Sequence, residues 1–215
     1  MIAEKLISVG QQQFMLNTWH TMYWKQQHAL LVADLHIGKA AHFRKHGIAL
    51  PAQYLADDFA RLSAAVKHYE VTALYILGDL IHADHNNEVL MFEQWLRQHS
   101  DIACHLILGN HDRHTASWLQ TLPMEIHHQK LLLSTCLLTH KPEVSNGRLV
   151  ISGHIHPGTV VASAQRQKIR VPAFLVSEQQ IILPAFSAFS GLDTSYIKGK
   201  KLDTYAITQT KIIPL

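Results

Sequence analysis

Apolar positions in the chain follow two periods, and the balance between them changes partway along. Between residues 14 and 33, the short runs Phe14-Met15-Leu16, Met22-Tyr23-Trp24 and Ala29-Leu30-Leu31-Val32 are separated by polar turns and read as strands. Residues 52–69 switch to helical spacing. Leu55, Phe59, Leu62, Val66 and Tyr69 follow at intervals of 4, 3, 4 and 3, which places them on one core-facing stripe. Ala73-Leu74-Tyr75-Ile76-Leu77 then predicts a buried strand. Residues 88–98 predict a second helix with Met91, Phe92, Trp95 and Leu96 apolar, and Ile102 to Leu108 another strand. Strand, helix, strand, helix, strand is the order of an α/β fold, in which ligands gather at the carboxyl ends of strands.

After a short helical piece at 116–119 the strand period takes over. Residues 131–133, 136–138, 149–151, 169–171, 174–176 and 181–183 are the candidates. A second sheet packed on the first is the natural way to bury so many short strands. The expected architecture is therefore α/β, with two packed mixed β-sheets flanked by helices. No Pro/Gly/Ser linker, repeat or low-complexity tract interrupts the chain, so a single domain over residues 1–215 is expected.

Composition narrows this picture little until histidine is counted. Hydrophobic residues make up 47% and charged residues 16%, which excludes a disordered chain. The formal charge of +3 permits a polyanionic partner without demanding one. Cys104 and Cys136 sit in apolar runs and form no CxxC, which argues against a thiolate metal site or a disulfide framework. The N-terminus lacks a charged-then-apolar signal pattern, and the longest apolar runs are too short to span a bilayer, so a soluble cytoplasmic protein with no membrane partner is expected. Histidine is the outlier at 17 residues, and its placement matters because it is the commonest metal ligand and a frequent general acid.

Five predicted strand ends carry side chains of one chemical kind: Asp34-Leu35-His36, Asp79, Asn110-His111, His140 and His154-Ile155-His156. Along an extended segment residues i and i+2 point the same way, so Asp34 with His36, and His154 with His156, can each reach one site. Carboxylates, imidazoles and one amide oxygen suit manganese, iron or zinc, and no thiolate selects otherwise. There are too many ligands for one ion and about enough for two that share a carboxylate, for which Asp79 is the candidate. A lone His-x-His is more often structural than metal-bound. It is the recurrence within one α/β chain that favours a metal centre.

Asp-x-His, Gly-Asp, Gly-Asn-His-Asp, a later His and Gly-His-x-His, in this order, resemble the calcineurin-like metallophosphoesterase superfamily. Ala33-Asp34-Leu35-His36-Ile37-Gly38-Lys39-Ala40-Ala41-His42-Phe43-Arg44 and Leu183-Pro184-Ala185-Phe186 are similar to its bacterial DNA-ligase-associated branch. Thr139 and Ser187 stand where relatives often have glycine. The resemblance implies a four-layer α/β/β/α sandwich. It also implies that Asp34, His36 and His156 hold one metal and Asn110, His140 and His154 the other, with Asp79 bridging. His111 would be a non-ligand beside the scissile phosphate that helps the leaving oxygen depart. His82, three residues after the bridging aspartate, matches the repair-nuclease branch, where two histidines flank the phosphate.

The expected activity is phosphodiester hydrolysis by two divalent ions, most simply Mn2+ with iron or zinc as alternatives. DNA would be the substrate, and the role would be a nuclease in repair. His111 would act as general acid, assisted by His82 or Asp112. Lys39, Arg44 and Arg113 are the candidate contacts to substrate phosphates, alongside His42 and Lys45, against the plainer reading of a solvated helix face. Asp84, His85, His114, His127 and His128 receive no role. The branch name implies a genomic association with a DNA ligase and helicase rather than contact, and oligomeric state stays open. One rival keeps the metals but acts on small phosphorylated substrates. Another, a metal-free scaffold on the same fold, would have shed ligands or His111, and this chain retains them all.

Overall fold

A strand buried on both faces must be apolar throughout, and the first parallel strand of this protein is. In the computed structural model, which describes residues 2–39, 53–82, 87–112, 116–162, 167–188 and 190–215, all four residues of Ala29–Val32 are buried. Leu30 and Val32 face helices, while Ala29 and Leu31 face a second sheet. This strand is β4. Before it come β1 (Glu4–Val9), β2 (Gln12–Asn17) and β3 (Met22–Trp24), each antiparallel to the next, with β3 antiparallel to β4. After it come β5 (Ala73–Ile76), β6 (Ala103–Ile107) and β7 (Glu125–His127), all parallel to it. The described residues of this sheet form seven strands in the order β1-β2-β3-β4-β5-β6-β7.

The parallel strands are joined by α1 (Gln53–Tyr69), α2 (Asn87–Gln98) and α3 (Ala116–Leu119). The predicted stripe of α1 is the buried one. Leu62 and Val66 are buried and Phe59 and Tyr69 pack against the same cluster, while the Leu55 side chain lies outside the described residues. In α2 the stripe is Val89, Phe92, Trp95 and Leu96, and Met91 is instead exposed. Burying side chains of this size contributes about 1.5–3 kcal/mol each, which holds the helices to the sheet.

The second sheet is built from β8 (Lys130–Leu133), β9 (Cys136–Thr139), β10 (Leu149–Ser152), β11 (Gly158–Ala162), β12 (Lys168–Val176), β13 (Gln180–Ile182), β14 (Asp203–Ile207) and β15 (Ile212–Pro214). Its order is β15-β14-β12-β13-β10-β9-β8, with β11 paired to β12. The runs at 169–171 and 174–176, read from sequence as two strands, are one. β12 continues through Pro172, pairing with β11 before it and with β14 and β13 after it. The two sheets meet face to face over Phe14, Trp24, Leu31, Leu138, Ile151 and Phe174. The expected mixed two-sheet sandwich is the fold observed. Among the described residues, no helix is long and apolar enough to cross a membrane.

This topology places the chemistry. Because β4, β5 and β6 are parallel, the segments after them emerge at one edge of the first sheet. β9 and β10 are parallel too, so residues 140 and 154 emerge together from the second. Cys104 and Cys136 are both buried and free. Burial pushes the Cys104 thiol up to about 12 and the Cys136 thiol up to about 11, so both are unreactive side chains of the core.

Candidate metal centre

The strand ends do not present their side chains from extended backbone. Asp34 and His36 have φ of 56° and 49°, Asp79 has 48°, and His154 and His156 have 72° and 51°. The i, i+2 convergence expected from strand alternation is instead produced by left-handed residues. Such conformations persist only where surrounding bonds over-determine them. Here the N–H of Asp34 donates to the Gly78 carbonyl at 3.1 Å, that of His36 to the Asp79 carbonyl at 2.9 Å, and that of His82 to the Ile37 carbonyl at 2.9 Å. The pairing of β4 with β5 thus continues into the loops beyond them. Gly78, with φ of 79°, lies where a Cβ would overlap Nδ1 of His140. Only a residue without a side chain lets the loops of the two sheets approach this closely.

Two groups of donors result. In the first, Nε2 of His156 is 3.5 Å from Oδ1 of Asp34 and 3.2 Å from Nε2 of His36. In the second, Nε2 of His140 is 3.1 Å from Oδ1 of Asn110, 3.0 Å from Nδ1 of His154 and 3.5 Å from Oδ1 of Asp79. The groups adjoin, with Oδ1 of Asp34 4.0 Å from Nδ1 of His140. Oδ2 of Asp34 accepts the backbone N–H of His154 at 2.8 Å, tying the two sheets together at the site.

These residues fit divalent cations. Donors bonded to one ion at about 2.0–2.2 Å stand roughly 3.0–3.5 Å apart, whether tetrahedral or octahedral. Nδ1 of His140 faces the Leu77 carbonyl at 2.9 Å and must carry a proton to donate there, which leaves the lone pair of Nε2 directed at three other donor atoms. Oδ1 of Asp34 is a buried carboxylate oxygen that accepts no hydrogen bond. Acceptors crowded together in this way need positive charge among them. The Asp and His groups fit a dinuclear site.

The field inside the site is divided between the groups. Burial, followed by Lys39 and His156, holds the His36 imidazole well below the usual histidine range. Burial also lowers His154, with His140 and Lys141 adding to it. For Asp79 burial acts upward, but the hydrogen bond and charge of His140 and the N–H of His111 outweigh it and hold the carboxyl low. For His140 burial acts downward and is outweighed by Asp79, Asp34 and the Leu77 carbonyl, which raise it.

His111 and His82 lie beside the first group. The His82 and His111 ring centroids are 5.1 Å apart, and each stands edge-on to His36, at 5.3 and 5.5 Å. His111 is partly exposed at the mouth. Its N–H donates to Oδ1 of Asp79 at 3.0 Å and its Nε2 lies 3.9 Å from Oδ2 of the same residue. Asp112, expected as an alternative to His82 in assisting His111, makes two backbone contacts. Its carboxylate accepts the N–H of Ile81 and the N–H of Gly109, both at 2.9 Å, and so ties the loop after β5 to the loop after β6. Lys39 is half-buried near both carboxylates, its pKa lowered by burial against the pull of Asp34 and Asp79. Arg44 and Arg113 lie outside the described residues, as do His42, Lys45, Asp84, His85 and His114.

The sequence reading singled out Leu183-Pro184-Ala185-Phe186 but gave it no role, and it missed Arg61 and Asp58 behind it. Leu183-Pro184-Ala185-Phe186 braces the first loop: the N–H of Phe186 donates to Ala33 at 2.8 Å and that of Ser187 to Asp34 at 3.3 Å. Behind it Arg61 donates to the Phe186 carbonyl and stacks 4.2 Å over the Phe186 ring. Asp58 pairs with Arg61 at 2.8 Å.

The chain is similar in structure to the nuclease MPE of Pseudomonas putida, with 29% identity and a TM-score of 0.84 over 99% of this chain and 100% of that one. It is also similar, more distantly, to the Yfce phosphoesterase of E. coli, with 16% identity and a TM-score of 0.46 over 86% and 96% of the two chains. It matches no protein-family model and no curated protein. The first of these structures shares the two-sheet sandwich along its whole length. That likeness is consistent with the resemblance to metallophosphoesterases of the DNA-ligase-associated type.

Proposed function

We propose that the chain is a dinuclear metal-dependent phosphodiesterase, a nuclease acting on DNA. The observation that carries this reading is the convergence of two adjoining donor groups with two non-ligand histidines at their mouth. Its likeness to a nuclease over the full chain supports the same reading. Asp34, His36 and His156 would hold one cation and Asn110, His140 and His154 the other, with Asp79 available to both. Bound divalent ions would neutralise phosphate oxygens and make water nucleophilic near neutral pH. Manganese is the proposed ion, with iron and zinc admitted by the same donors.

The protein's own part is to position and protonate. Asp79 fixes the backbone of His111, which keeps that imidazole at the mouth, where it delivers a proton to the leaving alkoxide. The His82 ring lies beside it, 5.1 Å between centroids, and would meet the same phosphate. Lys39 adds positive charge for substrate, and Arg44 and Arg113 extend it. Residues 1–215 act as one catalytic domain in the cytoplasm. The biological role is DNA repair, functionally allied to ligase and helicase activities.

The test is a substrate panel on metal-stripped protein, with manganese, iron or zinc added back singly. Nicked and single-stranded DNA should be cleaved, with an aryl phosphodiester also turned over and a phosphomonoester poor. Preference for the monoester would move the assignment to a small-molecule phosphatase. His111→Ala should lower the rate by about 10²–10⁴ with metal content kept. A variant that instead lost its metals would make His111 a ligand.

A further inference from the structure

Away from the strand-end centre, one other set of metal-type donors converges among the described residues. It lies at the outer edge of the first sheet, on the last two strands. His105 on β6 stands opposite Glu125 on β7 in the parallel register, and Ile107 opposite His127. Glu125 and His127 are two apart on one strand, and the pleat puts them on the same face. Nδ1 of His105 is 3.3 Å from Nε2 of His127 and 3.3 Å from Oε2 of Glu125. Nε2 of His127 is 3.7 Å from the other carboxylate oxygen, Oε1 of Glu125, so each of the three side chains faces the other two.

Three features make this more than a chance meeting of polar side chains. Tetrahedral coordination with bonds of about 2.0–2.1 Å sets donors roughly 3.3–3.4 Å apart, close to two of the three separations. The His105 ring is also pinned. It stacks on Tyr75 of β5 at 4.6 Å and 10°, and lies 5.5 Å and 24° from the His127 ring, which fixes the direction of Nδ1. Finally, the burial is graded. The His105 and His127 side chains are 17% and 13% exposed while Glu125 is 65% exposed, so two imidazoles wait under a carboxylate reaching in from solvent. A shared proton can serve one pair of such a trio at a time, whereas a cation serves all three.

We propose that His105, Glu125 and His127 form a separate divalent-cation site, a two-histidine, one-carboxylate zinc site with its fourth position open to water. Two imidazoles and a carboxylate without thiolate suit zinc and the neighbouring late first-row ions. Its place gives it a structural effect. β7 is a three-residue edge strand, and an ion bonded to β6 and β7 together fastens it to the sheet.

The experiment uses full-length protein stripped by chelator and loaded with Zn2+ at increasing ratios. Bound zinc is counted by elemental analysis after gel filtration. Three ions per chain are expected for the native sequence and two for Glu125→Ala or His127→Gln, with phosphodiesterase activity in manganese unchanged. Glu125 is mostly exposed, so its replacement does not endanger folding. Asp79→Asn should retain one zinc, and Co2+ in that variant should give the visible absorption of a tetrahedral ion, abolished by adding Glu125→Ala. Equal zinc counts in the native, Glu125→Ala and His127→Gln proteins would overturn the site and leave a hydrogen-bonded trio. If the strand-end centre binds no metal, the native chain still binds one ion and Glu125→Ala none, so the two assignments fail separately.

Discussion

Asp112→Ala isolates what holds the two catalytic loops together. The carboxylate is fully buried, and each oxygen accepts one backbone N–H at 2.9 Å, from Ile81 and from Gly109. Those amides flank the residues that deliver Asp79 and Asn110. Removing the side chain strands two buried donors, each costing about 1–3 kcal/mol, so the gross loss is about 2–6 kcal/mol. Burial pushes the Asp112 carboxyl above its usual range, so deleting the charge returns part of that cost. The net expectation is therefore a loss of about 2–4 kcal/mol. Denaturant unfolding of the metal-free protein measures it without interference from bound ions. Asp112→Asn, which keeps one acceptor, should fall between the native protein and the alanine variant. Both variants should bind the second cation more weakly, because Asp79 and Asn110 lose their shared anchor. A loss below about 0.5 kcal/mol, the usual range of an inconsequential surface change, together with native metal affinity would refute the latch.

Three further expectations follow from the same coordinates. Burial, then Arg61, lowers the His20 imidazole to about 4 from 6.5. Below pH 6.5 the unfolded chain therefore binds a proton that the folded one refuses. Stability present above that value is lost as pH falls through 4, about 3 kcal/mol in all, and His20→Gln should flatten this acid limb in unfolding measured across the range. Gly153→Ala places a methyl 2.5 Å from the Ala33 Cβ and 2.7 Å from Oδ2 of Asp34; melting and metal analysis should show a destabilised protein that has lost the first cation, and full metal content would contradict the packing. Phe174→Ala opens the core between the sheets and should cost about 3–5 kcal/mol in denaturant unfolding while leaving the metal-binding stoichiometry intact.

How much of this was legible in the sequence depends on the length scale. β4, β5 and the helix stripe of α1 were readable because burial on two faces, or on one helical face, leaves a periodic apolar trace. The chemistry of the strand ends was readable for a different reason: Asp-x-His and His-x-His keep their members close in sequence. β1 left little trace, since only Ile7 and Val9 of its six residues are buried. β11, β14 and β15 are short and lie at or near the margin of the second sheet, where one side needs no apolar pattern. Pro172 split β12 on paper because proline breaks a ladder, yet it sits where the strand exchanges partners and the lost donor matters least. That the Asp112 carboxylate ties two loops together was not legible, because its place beside His111 in sequence says nothing of which amides it meets. His105 and His127 carry no motif at all. They meet only because two strands 22 residues apart run parallel in register.

The deepest omission was the backbone of the ligands themselves. Among the described residues nine non-glycine positions are left-handed, and five of them are Asp34, His36, Asp79, His154 and His156. Each such residue costs about 1–2 kcal/mol relative to ordinary backbone, so roughly 5–10 kcal/mol of strain is gathered at one edge of the sandwich. Asp and His enter left-handed backbone more readily than most residues, which lightens this strain without removing it. It is held by long-range bonds: Asp34 to Gly78, His36 to Asp79, Phe186 to Ala33 and Asp193 to His156 in the backbone, and His154 to the Asp34 carboxylate. Those bonds accompany donor atoms that stand 3.0–3.5 Å apart, the spacing that ligands of one ion adopt. The two sheets thus do more than bury a core. Their join at Asp34 and His140 is what makes a strained, ion-ready edge affordable, and it explains why the ligands are divided between the sheets instead of clustered on one.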